Sequence, residues 1–177
     1  KIVHDPRLVW NTFDIVEQYQ GIAVQSKSGH AFIKDVMREH NAVYGGEMSA
    51  HHYFRDFAYC DSGMIPWLLT IALLSETEQS LSTLVENMIA KFPCSGEINF
   101  KVADTQATVQ KIFDHYADQN PLVDRTDGVS LDFGAWRLNV RASNTEPLLR
   151  LNIESRADKN PQPMQNYVDE LTDLIQG

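Results

Sequence analysis

The chain has 177 residues, 43% of them apolar, and a formal net charge of −9. That acidity excludes nucleic acid as a general partner, because a phosphate backbone demands a basic face, although a small phosphorylated ligand needs only a local cluster of donors. The most apolar stretch, 66–74, is far shorter than the ~20 residues of a membrane span, and two cysteines, Cys60 and Cys94, do not make a disulfide framework.

The sequence starts at Lys1 as if inside a strand already under way, and is expected to be a piece of a longer protein. Residues 7–20 space Leu8, Phe13, Ile15 and Val16 as an amphipathic helix that stops at Gly21. A short strand at 22–25, a polar loop at 26–29, a helix at 30–40 and a strand at 42–44 follow. Strand, helix, strand, helix, strand at this spacing predicts a parallel sheet with crossover helices. In such sheets ligands collect at the carboxyl ends of the strands, where 27–30 and 46–51 fall. Asp61 and Ser62 are candidate caps for a helix over 63–74, which tolerates Pro66 only in its first turn. That helix is apolar on nearly all faces and is expected to be buried, with Trp67, like Trp10 and Trp136, in a core. A surface helix covers 80–91.

Residues 92–96 break the pattern, which predicts domains at 1–95 and 96–177. The second half reads as a strand at 98–102, a helix capped by Asp104, three extended runs at 128–133, 136–141 and 148–155, and a last helix from about 163 to 175. The fold class is α/β: a three-layer domain on a parallel sheet, followed by a smaller α+β domain on an antiparallel one.

Two loops carry chemistry. In Gly45-Gly-Glu-Met-Ser-Ala-His-His52 the glycines permit a sharp turn at a strand end. Glu47 and Ser49 suit a diol, since a carboxylate accepts from two hydroxyls and a serine both accepts and donates. In Arg141-Ala-Ser-Asn-Thr-Glu-Pro147, Arg141 presents a planar fork that matches phosphate oxygens, Ser143 and Thr145 add hydroxyls, and Asn144 adds an amide. Arg150, on the next strand, is placed to point toward the same loop. Each loop alone also reads as an ordinary polar turn.

Together, and with Lys27-Ser-Gly-His30, Asp61-Ser-Gly63 and Asp124-Arg-Thr-Asp-Gly128 in order between and around them, these loops resemble the α-D-phosphohexomutase family, on the side of its bacterial phosphomannomutase branch and the GDP-mannose pathway. Family members usually have Gly where this chain has Ala50. The resemblance implies the third and fourth domains of a four-domain cytoplasmic enzyme that interconverts hexose 1- and 6-phosphates through a hexose 1,6-bisphosphate. It implies a phosphoserine and an Mg²⁺ site in the first two domains, whose motifs are not found in this sequence. Hexose phosphates and those N-terminal domains are then the partners, and no metal site is expected here. Glu47, Ser49 and His51 would hold sugar hydroxyls. Arg141, Ser143, Asn144, Thr145 and Arg150 would hold phosphate. His51, His30 and Arg7 stand where the family has polar active-site residues, for acid–base work or for charge stabilisation. This chain alone is expected to be inactive. A phosphoglucomutase, a phosphoglucosamine mutase or a non-catalytic sugar-phosphate-binding module are the other readings.

Overall fold

A computed structural model describes residues 1–143, 147–160 and 162–177. They fall into two units, Lys1–Ala90 and Lys91–Gly177, each with its own five-stranded sheet.

In the first unit, β1 (Ile2–His4), α1 (Trp10–Gln18), β2 (Ala23–Gln25), α2 (His30–His40) and β3 (Tyr44–Gly46) alternate as the spacing predicts. β1 pairs in parallel with β2 on one side and β3 on the other. The sheet then changes sense. β4 (His52–Phe54) folds back antiparallel on β3, and β5 (Cys60–Asp61) on β4, giving the order β2-β1-β3-β4-β5. Ile33 and Met37 of α2 pack with Val3, Ala42 and Tyr53, all fully buried. The glycines at the end of β3 serve this packing. A Cβ on Gly45 would meet Met37 Sδ at 2.6 Å and Ile33 Cγ2 at 2.8 Å, and one on Gly46 would meet the Tyr44 hydroxyl at 2.6 Å. They are ladder residues chosen for close approach, rather than the pivot of a sharp turn.

α3 (Met64–Thr77) and α4 (Leu81–Lys91) complete the unit. Pro66 lies in the first turn of α3, and the Ser62 hydroxyl accepts the Ile65 N–H at 3.2 Å there. Contrary to expectation, α3 buries none of its side chains, and Trp67 is 55% exposed. A helix that is apolar all round has no preferred face, so its sequence says that it needs cover without saying what supplies it. No helix among the described residues is long and apolar enough to cross a membrane.

The second unit comprises β6 (Cys94–Phe100), α5 (Thr105–Tyr116), β7 (Leu122–Asp124), β8 (Val129–Asp132), β9 (Trp136–Ala142), β10 (Leu149–Ser155) and α6 (Met164–Gln176). Its sheet is antiparallel throughout, in the order β6-β10-β9-β8-β7. Asp104 caps α5 as expected, accepting from Gln106 N–H at 2.9 Å and Ala107 N–H at 3.0 Å. One face of the sheet presents Leu138, Val140, Leu149, Leu151 and Ile153 to Ile112 and Tyr116 of α5 and to Leu171 of α6. Trp136 stacks on Phe133 and on Tyr167, each at 4.3 Å between ring centres. Each fully buried aliphatic side chain contributes roughly 1.5–3 kcal/mol.

The other face is polar and also buried. Arg137, Asn139, Arg141, Asn152 and Glu154 alternate with the core residues along β9 and β10, each no more than 4% exposed. Arg137 Nη1 donates to Glu154 Oε1 at 2.7 Å, and Asn139 Nδ2 to Asp127 O and Ser130 Oγ, both at 3.0 Å. Asn152 Nδ2 donates to Gly96 O at 3.1 Å.

Candidate functional site

In the first unit the carboxyl ends of the parallel strands β1 and β3 lie side by side, with His4 in register with Gly46. The chain leaving β1 carries Asp5 and Arg7; the chain leaving β3 carries Glu47 and Ser49. Asp5 is the hub. Its Oδ1 accepts the Arg7 backbone N–H at 2.9 Å. Its Oδ2 accepts Arg7 Nε at 3.1 Å, Arg7 Nη2 at 2.6 Å and the Met48 N–H at 2.7 Å. The last of these bonds ties β1 to the sugar-loop candidate. Arg7 Nη2 reaches on to Ser49 Oγ at 3.4 Å and lies 3.9 Å from Glu47 Oε2. Arg7, Glu47 and Ser49, separated by some forty residues of sequence, are thus one cluster.

Glu47 is held from two further sides. Its Oε2 accepts the Gly29 N–H at 2.8 Å, directly before His30 at the start of α2, and its Oε1 accepts the Tyr53 hydroxyl at 2.7 Å. Burial, followed by the bond to Glu47 and the charges of Glu47 and Asp61, pushes the Tyr53 hydroxyl far above its ordinary value. It therefore stays protonated and donates. A carboxylate has about four acceptor sites, so these two bonds aim Glu47 while leaving lone pairs for a ligand. The loop closes between Gly46 and His52, which pair across β3 and β4, with Ala50 at φ +64°. For an L residue the left-handed region costs roughly 1–2 kcal/mol, which explains in physical terms why glycine suits this position.

His51 is half exposed. Its Nδ1 lies 2.7 Å from Asp61 Oδ2, and Asp61 Oδ1 accepts the His52 N–H at 2.9 Å. Asp61 is therefore not the cap of α3. Burial opposes its ionisation, but the His52 N–H, the His51 bond and the two histidine charges outweigh that and lower it below 3.8. His30 is exposed at the first position of α2, with no bond to Glu47, Arg7 or Ser49 among the described contacts.

In the second unit Arg141 and Arg150 stand directly opposite each other on β9 and β10. Glu97 of β6 lies between them, 3.7 Å from Arg141 Nη2 and 3.4 Å from Arg150 Nη1. Asp127 Oδ2 is 4.0 Å from Arg141 Nε. Ser143 closes the end of β9, its N–H donating to Leu148 O at 2.8 Å. Gly128, at φ +72°, lets β8 pass under this site, since a Cβ there would meet Val140 O at 2.3 Å and Arg141 Cβ at 2.5 Å. Asn144 and Thr145 lie outside the described residues.

Asp5 and Glu97 had no role in the sequence reading, and Asp61 stood there as a candidate helix cap and not as the partner of His51. Asp61 and Glu97 are brought to their partners by strand register, whereas Asp5 stands two residues from Arg7 and is joined to the other loop through the Met48 N–H. No group of three or more His, Cys, Asp or Glu able to hold a metal ion occurs among the described residues.

Two family models match the chain: phosphoglucomutase/phosphomannomutase alpha/beta/alpha domain III over residues 1–92, and the phosphoglucomutase/phosphomannomutase C-terminal domain over 97–171. The chain belongs to the phosphoglucomutase/phosphomannomutase family. It is 60% identical over 177 residues to a Xanthomonas campestris protein described as phosphohexose mutases, covering all of this chain and 39% of that one. It is 56% identical to the Vibrio cholerae phosphomannomutase over 176 residues, covering 99% of this chain and 38% of that one. Among solved structures, a phosphoglucomutase/phosphomannomutase family protein from Burkholderia thailandensis superposes with a TM-score of 0.75 at 21% identity, over 99% of this chain and 37% of that one. The chain thus spans a little over a third of the length of these relatives.

Proposed function

We propose that this chain supplies the sugar- and phosphate-recognition part of a phosphomannomutase, which interconverts mannose 1-phosphate and mannose 6-phosphate through a hexose 1,6-bisphosphate. The observation that carries the reading is the Glu47–Arg7–Ser49 cluster, a fixed carboxylate beside a hydroxyl and a cation at the carboxyl end of a parallel sheet. Its supporting context is 56% identity to a relative named phosphomannomutase. Residues 1–95 form the sugar-binding domain on this reading, and 96–177 the phosphate-binding one.

Glu47 and Ser49 take the sugar hydroxyls remote from both phosphates, with His51, oriented by Asp61, beside them. Contacts on that side of the ring serve a bisphosphate in either orientation. Such an intermediate has to present each phosphate in turn to the same reacting group. Arg141, Ser143, Asn144, Thr145 and Arg150 take the phosphate that is not reacting. Arg7 is a charge-stabilising cation more than a proton donor, because a guanidinium does not titrate in the useful range. His30 and His51 are the acid–base candidates. The phosphoserine and the Mg²⁺ belong to the part of the enzyme this chain does not cover, so the chain by itself has no mutase activity. The compartment is the cytoplasm.

Titration of the chain with mannose 1-phosphate, followed by amide NMR, tests the reading. Shifts at 46–51 and at 141–143 are expected, and both vanish in Glu47→Ala and Arg141→Ala respectively. Shifts confined to other segments would sink it. Sugar choice is tested separately, by rates of the complete enzyme on mannose, glucose and glucosamine phosphates, since the proposed contacts do not touch C2, where mannose and glucose differ.

A further inference from the structure

We infer that Glu97 is the resident anion of the Arg141–Arg150 pair, occupying the place that a phosphoryl group takes, so that phosphate binds there by exchange with Glu97. The inference rests on the reading of Arg141 as a phosphate-binding residue.

The register forces the arrangement. Residues directly opposite on antiparallel strands send their side chains to the same face, so Arg141 and Arg150 place two guanidinium groups together. Like charges in that position repel, and the sheet needs an anion on that face. β6 pairs with the far edge of β10 and puts Glu97 opposite Asn152, one same-face position along from Arg150. The carboxylate is shared, one oxygen toward each arginine, at 3.4 and 3.7 Å. Asp127, at 4.0 Å, adds a more distant negative charge.

A third arginine on the same face shows what a closed pair looks like in this unit. Arg137 and Glu154 meet at 2.7 Å with side chains 4% and 3% exposed. Glu97 sits farther from both its arginines than the 2.7–2.9 Å of a good charge-assisted bond. It is also 22% exposed, and Arg150 20%, so the shared ion has a route to solvent that the Arg137–Glu154 pair lacks. A phosphoryl dianion carries more charge and three oxygens, enough to satisfy both guanidinium groups at short distance. Glu97 therefore neutralises the pair when no ligand is present and sets a threshold that a weaker anion does not pass.

The test is titration of the chain with inorganic phosphate by calorimetry, on wild type, Glu97→Gln, Glu97→Asp and Arg141→Ala. Removing the competing charge in Glu97→Gln should tighten phosphate binding about tenfold, which corresponds to roughly 1.4 kcal/mol. Glu97→Asp, which keeps the charge but withdraws it by one methylene, should fold like wild type and tighten binding less. It decides the matter if Glu97→Gln fails to fold. Unchanged or weaker binding in the folded Glu97 variants, with Arg141→Ala abolishing it, overturns the inference and leaves the phosphate site standing. Phosphate binding that survives Arg141→Ala overturns both.

Discussion

Replacing Asp5 by Asn tests whether one buried carboxylate organises the sugar-loop cluster. Asp5 is 3% exposed and accepts four bonds: two from the Arg7 side chain, one from the Arg7 backbone and one from the Met48 N–H. An asparagine of the same shape has one acceptor oxygen. Whichever way its amide is turned, an NH₂ group faces at least one donor, and the Arg7 guanidinium, itself 5% exposed, loses its nearest counter-charge. Breaking a buried ion pair from one side costs about 3–5 kcal/mol. The lower end applies, because Glu47 Oε2, already 3.9 Å away, is able to take Arg7 over. At about 4–8 °C per kcal/mol for a unit of this size, a loss of ~3 kcal/mol lowers the unfolding midpoint by roughly 12–24 °C. Urea titration read at the Gly45 and Met48 amides reports the first unit, with the Gly128 amide as a reference in the second. A cost below ~1 kcal/mol at Gly45 and Met48 would refute the reasoning, since it would mean that the four bonds are replaceable.

Gly128→Ala should destabilise the second unit by about 3 kcal/mol, combining a left-handed backbone with a Cβ placed against Val140 O; chemical denaturation of the variant measures it. Arg137→Met alone should cost about 3–5 kcal/mol by leaving Glu154 charged and buried, whereas Arg137→Met with Glu154→Leu should recover most of that; a double-mutant cycle in urea gives the coupling. The Asp61 carboxyl is held below its ordinary 3.8 in the folded chain, so its contribution to stability is present above that value and is lost as the pH falls through the lowered one. Asp61→Asn should therefore flatten the acid side of the stability curve below about pH 4 relative to wild type, read by thermal melts across pH. The effect is modest, because the Asp61 side chain is 41% exposed.

The alternation of short apolar runs with amphipathic stretches was enough to read β1 through β3 and their crossover helices, because each carries its own period. It was not enough for β4, β5 and β7, which are as short as β1 to β3 or shorter and lie outside the run of crossover helices that sets those three off. β6 begins at Cys94, ahead of the expected 98, although Ser95 and Gly96 read locally as a break. They belong instead to the irregular end of the ladder, where Ser95 Oγ accepts the Ile153 N–H at 2.9 Å and the register shifts between Asn152 and Glu154. Glu47, Ser49 and Arg141 were legible as residue types suited to hydroxyls and phosphate. Tyr53 as the partner of Glu47 and Glu97 as that of Arg141 were not, because a partner assigned by pairing across the sheet carries no local signature. Trp67 failed for another reason: hydrophobicity states a demand, and only packing shows whether this chain meets it.

The strand order of the second sheet has a consequence for the order of events during synthesis. β7 to β10 form a run of neighbours, each laid beside the one before, but β6 waits for β10, the last strand made. Phe100 pairs with Leu149, a separation of about fifty residues that makes this the slow step in closing the sheet. A nascent chain therefore carries β6 as an unclaimed strand, with both of its edges open, until residues beyond 155 have cleared the ribosome. The first sheet needs nothing beyond Asp61 to pair all of its strands. The vulnerable interval of this polypeptide thus lies in the second unit, where a pause in translation would leave β6 open to pairing with other chains.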